Sequence, residues 1–150
     1  MNNAEAIAAL AGAIGLPDLK LDAENTCNIV VDGKQEIYLV GAPDDSRLRL
    51  NAVLGDMAAL GADPVKMLEV NHVAEESGGG ALAINRMTAE AVYIQTLDVS
   101  AMEPGTLTAA IERFVKYALF WAETLPELRP AADDRLGSGT TSGEETILRL

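Results

Sequence analysis

The stretch LDAENTCNIVVDG, Leu21 to Gly33, holds the sole cysteine of the chain, Cys27, and the sole histidine is His72. A Cys–His pair is the equipment of a nucleophilic enzyme, in which the imidazole draws the thiol toward thiolate. Cys27, however, has Asp22, Glu24 and Asp32 for sequence neighbours. Nearby negative charge raises a thiol pKa and makes the sulfur less reactive. The sequence therefore favours the plainer reading, with Cys27 a small apolar residue opening a strand and His72 a helix-surface or interface residue. One Cys and one His form no spaced ligand set, so neither a metal nor any other cofactor is expected.

The other chemical candidates are weaker. GSGTTSG, Gly137 to Gly143, has the glycines of a phosphate loop but lacks its Gly-Lys-Ser/Thr ending, and no strand precedes it. It reads as a flexible tail. The triple glycine Gly78 to Gly80 reads as a helix stop. Acid pairs stand at Asp44-Asp45, Glu75-Glu76, Asp133-Asp134 and Glu144-Glu145. General acid–base work needs two carboxylates in different surroundings that converge on one point; these pairs lie in turns and at helix ends, where carboxylates are solvated. No catalytic constellation emerges, and the chain is not expected to be an enzyme.

The elements that must position any site are legible from periodicity. The 150 residues are enough for one domain with a core, and 49% of them are hydrophobic. Aromatics are only 4%, so the core must be built from Ala, Leu, Val and Ile. The formal net charge is -12, from 23 acids against 11 bases, which disfavours nucleic acid and anionic lipid as partners. The N-terminal segment lacks a basic region ahead of its apolar residues, and no apolar run approaches a membrane span. A cytoplasmic protein is expected.

Asn2 to Ile14 reads as a helix: Ile7, Leu10, Ala11 and Ile14 form one stripe, Asn2 can cap with Glu5, and Gly15 and Pro17 stop it. Three strands follow, in CNIVVDG, QEIYLVG and RLRLNAVLG, with Asp32-Gly33 as a tight hairpin turn. Asp63-Pro64 opens a second helix, predicted to run to Ser77. Met67, Val70 and Ala74 make one of its faces; Val65, Leu68 and His72 make another. Two stripes on one helix predict contact with a second subunit as well as with the sheet. Two more strands, ALAINRM and AVYIQTLDV, are joined by a turn at Thr88 to Glu90. A last helix opens at Pro104, carries Leu107, Ile111, Phe114, Ala118, Trp121 and Leu125 on one face, and ends at Pro126. The expected fold is α+β, in the order helix, three antiparallel strands, helix, two strands, helix. It occupies 1–126, with 127–150 a Gly/Ser/Thr-rich acidic tail.

The segments GLPDLKLDAENTCNIVVDGKQEIYLVGA, LRLNAVLG, LEVNHVAEESGGGALAIN and IERFVKYALFWAETL resemble the class I chaperones of type III secretion, the Tir-chaperone (CesT/SycE) family. The resemblance covers Met1 to about Leu125 and lies in the element order and residue pattern. It implies a homodimer that binds the N-terminal segment of a secreted effector, keeps it soluble and secretion-competent, and passes it to the export ATPase. It also implies a dimer interface at Leu68, Asn71, His72, Leu82, Ile84 and Tyr93. By the same resemblance, an effector patch is expected at Ile7, Leu10, Ile14, Ile29, Val31, Tyr38, Leu48 and Leu50. Plain core packing is the alternative for this second group, because a sequence does not say which face of a sheet is covered. Two other functions stay open here. One is a regulatory protein of the same fold that binds a folded partner. The other is an enzyme using Cys27 or His72.

Overall fold

The computed structural model of the chain describes residues 1–73 and 75–130. Helix α1 spans Asn3–Ile14. Its start is a reciprocal capping box: the Glu5 amide donates to Asn2 Oδ1 at 2.8 Å, and the Asn2 amide donates to Glu5 Oε2 at 2.9 Å. Its end is Gly15, left-handed at φ 73°, a conformation glycine adopts without steric cost. Ala6, Ile7, Leu10 and Ala11 are buried beneath it.

The chain then forms strands β1 (Thr26–Val31), β2 (Gln35–Gly41) and β3 (Arg47–Asp56). Asp32 and Gly33, both at positive φ, turn β1 into β2, and the Lys34 amide donates to the Val31 carbonyl at 3.1 Å. Strands β4 (Ala81–Asn85) and β5 (Glu90–Asp98) complete one sheet in the order β1-β2-β3-β5-β4, antiparallel at every pairing. Strand alternation puts Cys27, Ile29, Ile37, Leu39, Leu48, Leu50, Ala52, Ala91, Tyr93 and Leu97 on one face, all buried. That face is covered by α1 and by a 21-residue helix at Pro104–Thr124. The Tyr93 ring stacks on Phe114 of this helix with centroids 5.1 Å apart. The opposite face of the sheet carries no helix among the described residues.

The segment between β3 and β4 departs from the periodicity reading in three ways. A short helix, α2 (Met57–Leu60), follows β3 directly, its first amides bonded to the Asp56 side chain and its end set by left-handed Gly61. An Asp and a Gly five residues apart bracket it, and so short a stretch shows no periodicity to detect. Helix α3 covers Pro64–His72 and stops well before Ser77. A longer helix would place Glu75 and Glu76 at the negative end of its dipole; ending at His72 avoids this. Ala74 lies outside the described residues. The glycines Gly78 to Gly80 consequently do not stop a helix; they let a turn press against aromatic rings. The Tyr93 hydroxyl, whose pKa is raised chiefly by burial, donates to the Ser77 carbonyl and accepts from the Gly80 amide at 3.2 Å.

The long helix, named α4 (Pro104–Thr124), runs into a single 3-10 turn at Leu125–Glu127. The chain stays attached beyond Pro126: the Leu128 carbonyl accepts from the Asp63 amide at 2.6 Å, and the Leu128 side chain packs on the core. The loop GSGTTSG and the rest of 131–150 lie outside the described residues.

The Gly80 contact gives a stability test. A Cβ at Gly80 would sit 2.6 Å from the Ile94 carbonyl oxygen and from the Tyr93 ring. Neither neighbour is a flexible side-chain end, so Gly80→Ala is expected to cost about 1–3 kcal/mol, the range for overpacking. Urea unfolding would read this as a lower midpoint at unchanged slope.

Candidate functional site

The structure separates the two residues that could have been catalytic. Cys27 is 5% exposed, on the covered face of β1 opposite Leu39. Burial, and secondarily the Asp22 carboxylate, push its thiol pKa up. His72 is exposed at the end of α3, which packs on β4 at the other edge of the sheet. The acids do not converge either: among the described residues, no group of three or more His, Cys, Asp or Glu could hold a metal ion.

Among the described residues the fold leaves apolar surface open, and three such places matter here. The first is a groove of about 420 Å³ where α1 ends, between its last turn, α4 and strand β1. Leu10, Ala13, Ile14 and Leu16 form one wall; Ile111 and Val115 of α4 form the other. Ile29, Val30 and Val31 form the floor and lip, and Thr108 and Glu112 are the polar residues. Ile14 is 44% exposed, Leu16 50% and Val30 58%, unusual values for side chains of this kind clustered together.

This groove lies along an open strand edge. Among the described residues β1 pairs with β2 alone. The bonds from the Lys34 amide to the Val31 carbonyl and from the Gly41 amide to the Asn25 carbonyl set the parity that turns the backbone groups of Val31, Ile29 and Cys27 inward. Thr26, of the opposite parity, is tied back to the loop before it, its carbonyl accepting from the Asp22 amide at 2.8 Å. Asn28 and Val30 share that parity, so their backbone N–H and C=O groups face outward, away from β2. A groove for side chains beside free backbone groups is what an added strand requires.

The second place is a smaller cleft of about 170 Å³ at the β4 edge, lined by Pro64, Met67, Leu68, Leu82, Ala83 and Ile84. Leu68 is 69% exposed and Ile84 42%. Beneath it, the Asn71 side chain both donates to and accepts from the Leu82 backbone at 2.8 Å, fixing α3 on β4. The third is the bare sheet face, a concavity of about 680 Å³. There Tyr38, Val40, Val53 and Val92 mix with Arg49 and Asn51, and the Tyr38 hydroxyl donates to Glu36 at 2.7 Å. That bond to a carboxylate raises the Tyr38 pKa.

The residues anticipated for partner binding are thus divided. Ile7, Leu48 and Leu50 are at most 1% exposed and have no surface to offer a docked segment; they follow the core-packing alternative. Leu10, Ile14, Ile29 and Val31 line the groove, the first and third as its buried residues. Tyr38 faces the bare side of the sheet. Of the anticipated dimer residues, Leu68, Leu82 and Ile84 meet in the β4-edge cleft, Asn71 is used up in holding β4, His72 is exposed, and Tyr93 is core. Sequence reasoning does not single out Ala13, Leu16, Val30, Glu112 or Val115. Leu16 carries a signal, an apolar residue placed immediately after a helix-ending glycine.

The model of the Tir chaperone protein (CesT) family matches residues 5–122. No curated protein matches the chain in sequence. Among solved structures, a chain of the ExsC–ExsE complex is similar at TM-score 0.69 and 20% identity, over 81% of this chain and 92% of that one. A chain of the HopA1–SchA chaperone–effector complex is similar at TM-score 0.62 and 17% identity, over 79% and 91%. The Yersinia pestis type III secretion chaperone SycH, in complex with a fragment of YscM2, gives 0.62 and 13%, over 79% and 98%.

The placement of Cys27 is testable by its reactivity. Burial and Asp22 favour the protonated thiol in the folded state, so this contribution to stability is present below the ordinary thiol pKa and is lost as pH rises above it. At pH near neutral, a thiol reagent such as Ellman's should modify the native protein about a hundredfold or more slower than the urea-unfolded chain. Equal rates would place the sulfur at the surface.

Proposed function

We propose, since the chain belongs to the Tir chaperone protein (CesT) family, that it is a chaperone of type III secretion that holds the N-terminal segment of an effector in extended form. The observation that carries the docking site is the apolar groove at the end of α1 beside the open edge of β1. An extended segment can bond to the Asn28 and Val30 backbone and press alternate side chains between α1 and α4. The work is passive: holding a chain unfolded requires no bond chemistry, and the proposal assigns no catalytic step to Cys27 or His72. The solved structures of similar fold include a chaperone–effector complex of HopA1 and SchA and the chaperone SycH bound to a fragment of YscM2, which supports this reading by analogy of fold.

The proposal includes a homodimer joined at the β4 edge. Leu68 and Val65 stand 69% and 60% exposed on α3, Leu68 sharing the β4-edge cleft with Ile84, and burying them is the simplest use of a helix with two apolar stripes. A cytoplasmic setting fits the role, because the effector must be met before export and then handed to the export ATPase. No helix among the described residues is long and apolar enough to cross a membrane.

Ile14 gives the clean docking test, since its exposure lets it change without emptying the core. Ile14→Glu should weaken binding of the N-terminal segment of the host's type III substrates about tenfold or more, the loss expected from removing one buried aliphatic contact. Titration by fluorescence anisotropy reads the affinity, and circular dichroism checks the fold. Unchanged affinity for every such segment would move the site elsewhere. For the dimer, light scattering should give twice the chain mass for the wild type and a lower mass for Leu68→Asp, with helix content retained. A wild type that stays monomeric at high micromolar concentration contradicts the dimer.

A further inference from the structure

We propose that the segment held in the α1–α4–β1 groove carries a lysine or arginine opposite Glu112, and that this carboxylate selects for it. The inference rests on the docking reading above and adds a charge requirement to it. Among the groove-lining side chains Glu112 is the one that is charged. The other polar one, Thr108, spends its hydroxyl proton on the Pro104 carbonyl at 3.0 Å.

Nothing among the described residues neutralises Glu112. The one ion pair found there joins Arg47 and Asp44 at 3.8 Å, at the end of β3. Arg113, next in sequence, turns its guanidinium over the Tyr117 ring, 5.8 Å from the centroid. Lys116, one helical turn further on, makes no ion pair with Glu112.

Glu112 is exposed, and a segment lying against it would remove part of its hydration, which opposes binding unless a partner of opposite charge replaces it. A basic residue on the segment removes the penalty. Its methylene stem can lie on the apolar wall made by Ile111 and Val115 while its head reaches Glu112. The overall charge of -12 adds long-range attraction for such a segment and none for an acidic one.

The test uses a displayed library of peptides with Val or Ile fixed at alternate positions and the remainder randomised. It is selected in parallel on the full-length wild type, Glu112→Gln, Glu112→Lys and Ala13→Arg, the last placing a bulky side chain in the groove. Wild type should enrich Lys or Arg at one position relative to the anchors, and Glu112→Lys should enrich Asp or Glu there instead. A selected lysine peptide should bind Glu112→Gln about two- to fivefold more weakly than wild type at low salt, the size of a partly exposed ion pair. The gap should close near about 0.5 M salt. Peptides that bind wild type but not Ala13→Arg, and show no charge preference or keep it in Glu112→Lys, overturn this inference and leave groove docking intact. No binding to wild type, or binding that Ala13→Arg leaves untouched, removes the docking reading and this inference with it.

Discussion

The dry layer between one face of the sheet and two helices of unequal length governs the rest of this molecule. α4 has 21 residues and α1 has 12, or about 32 Å against about 18 Å at the usual rise. The sheet beneath them is continuous, so where α1 stops at Gly15 the covered face runs on without a cover. That shortfall produces the groove: Ile14 and Leu16 hang over its end, Ile29 and Val31 floor it, and α4 walls it. A longer α1 would bury this surface, and the apolar opening between α1, α4 and β1 would close. The same deficit appears at the far edge, where β4 has only the nine-residue α3 beside it and leaves Leu68 and Ile84 uncovered.

A surplus of apolar surface is tolerable only if something keeps molecules apart. Here that is charge. The acids outnumber the bases by 23 to 11, and among the described residues only Asp44 and Arg47 form an ion pair. The negative charge is therefore little neutralised by ion pairing, and it remains as a field around the molecule. That field opposes random association of like molecules through their exposed grooves, and it favours partners of the opposite sign. Two copies that do associate must overcome their mutual repulsion with buried area, which is why an interface would be expected at the most apolar uncovered patch.

How much of this is legible in the sequence depends on which physical scale decides each feature. Helix α1 can be bounded to within a residue because its ends are local chemistry: Asn2 and Glu5 at one, Gly15 at the other. The β1–β2 hairpin is equally local, set by Asp32-Gly33. The end of α3 is misjudged from sequence because the triple glycine looks like a stop, whereas its role is tertiary, admitting Tyr93 and Tyr117 against the backbone. The site shows the same limit more sharply. Leu10 and Ile14 share one stripe and one residue class, yet one is 1% exposed and the other 44%. What separates them is where a neighbouring helix runs, and nothing in the periodicity of α1 contains that. Leu48 and Leu50 go to the core for a related reason: they sit on β3, the central strand of the sheet, on the face that packs against α4.

The geometry also bears on how one partner could engage a dimer joined at the β4 edges. The groove between α1, α4 and β1, where docking is proposed, lies at the β1 edge, the farthest strand from that junction. Five strands span four spacings of about 4.8 Å, so each protomer adds about 19 Å between its two edge strands. Two sheets set edge toward edge would then separate the grooves by about 40–50 Å. An extended chain advances about 3.3 Å per residue, so roughly 15 residues must cross from one groove to the other. A segment longer than this, with apolar anchors at both ends, would occupy both sites, and the second contact would be intramolecular. Tethering of that kind raises apparent affinity by about 10² to 10⁴ without any new contact. Each groove can then be shallow and permissive in sequence while the pair holds firmly. Such weak, repeated contacts suit a chain that must be kept extended and later let go, because each anchor can release separately.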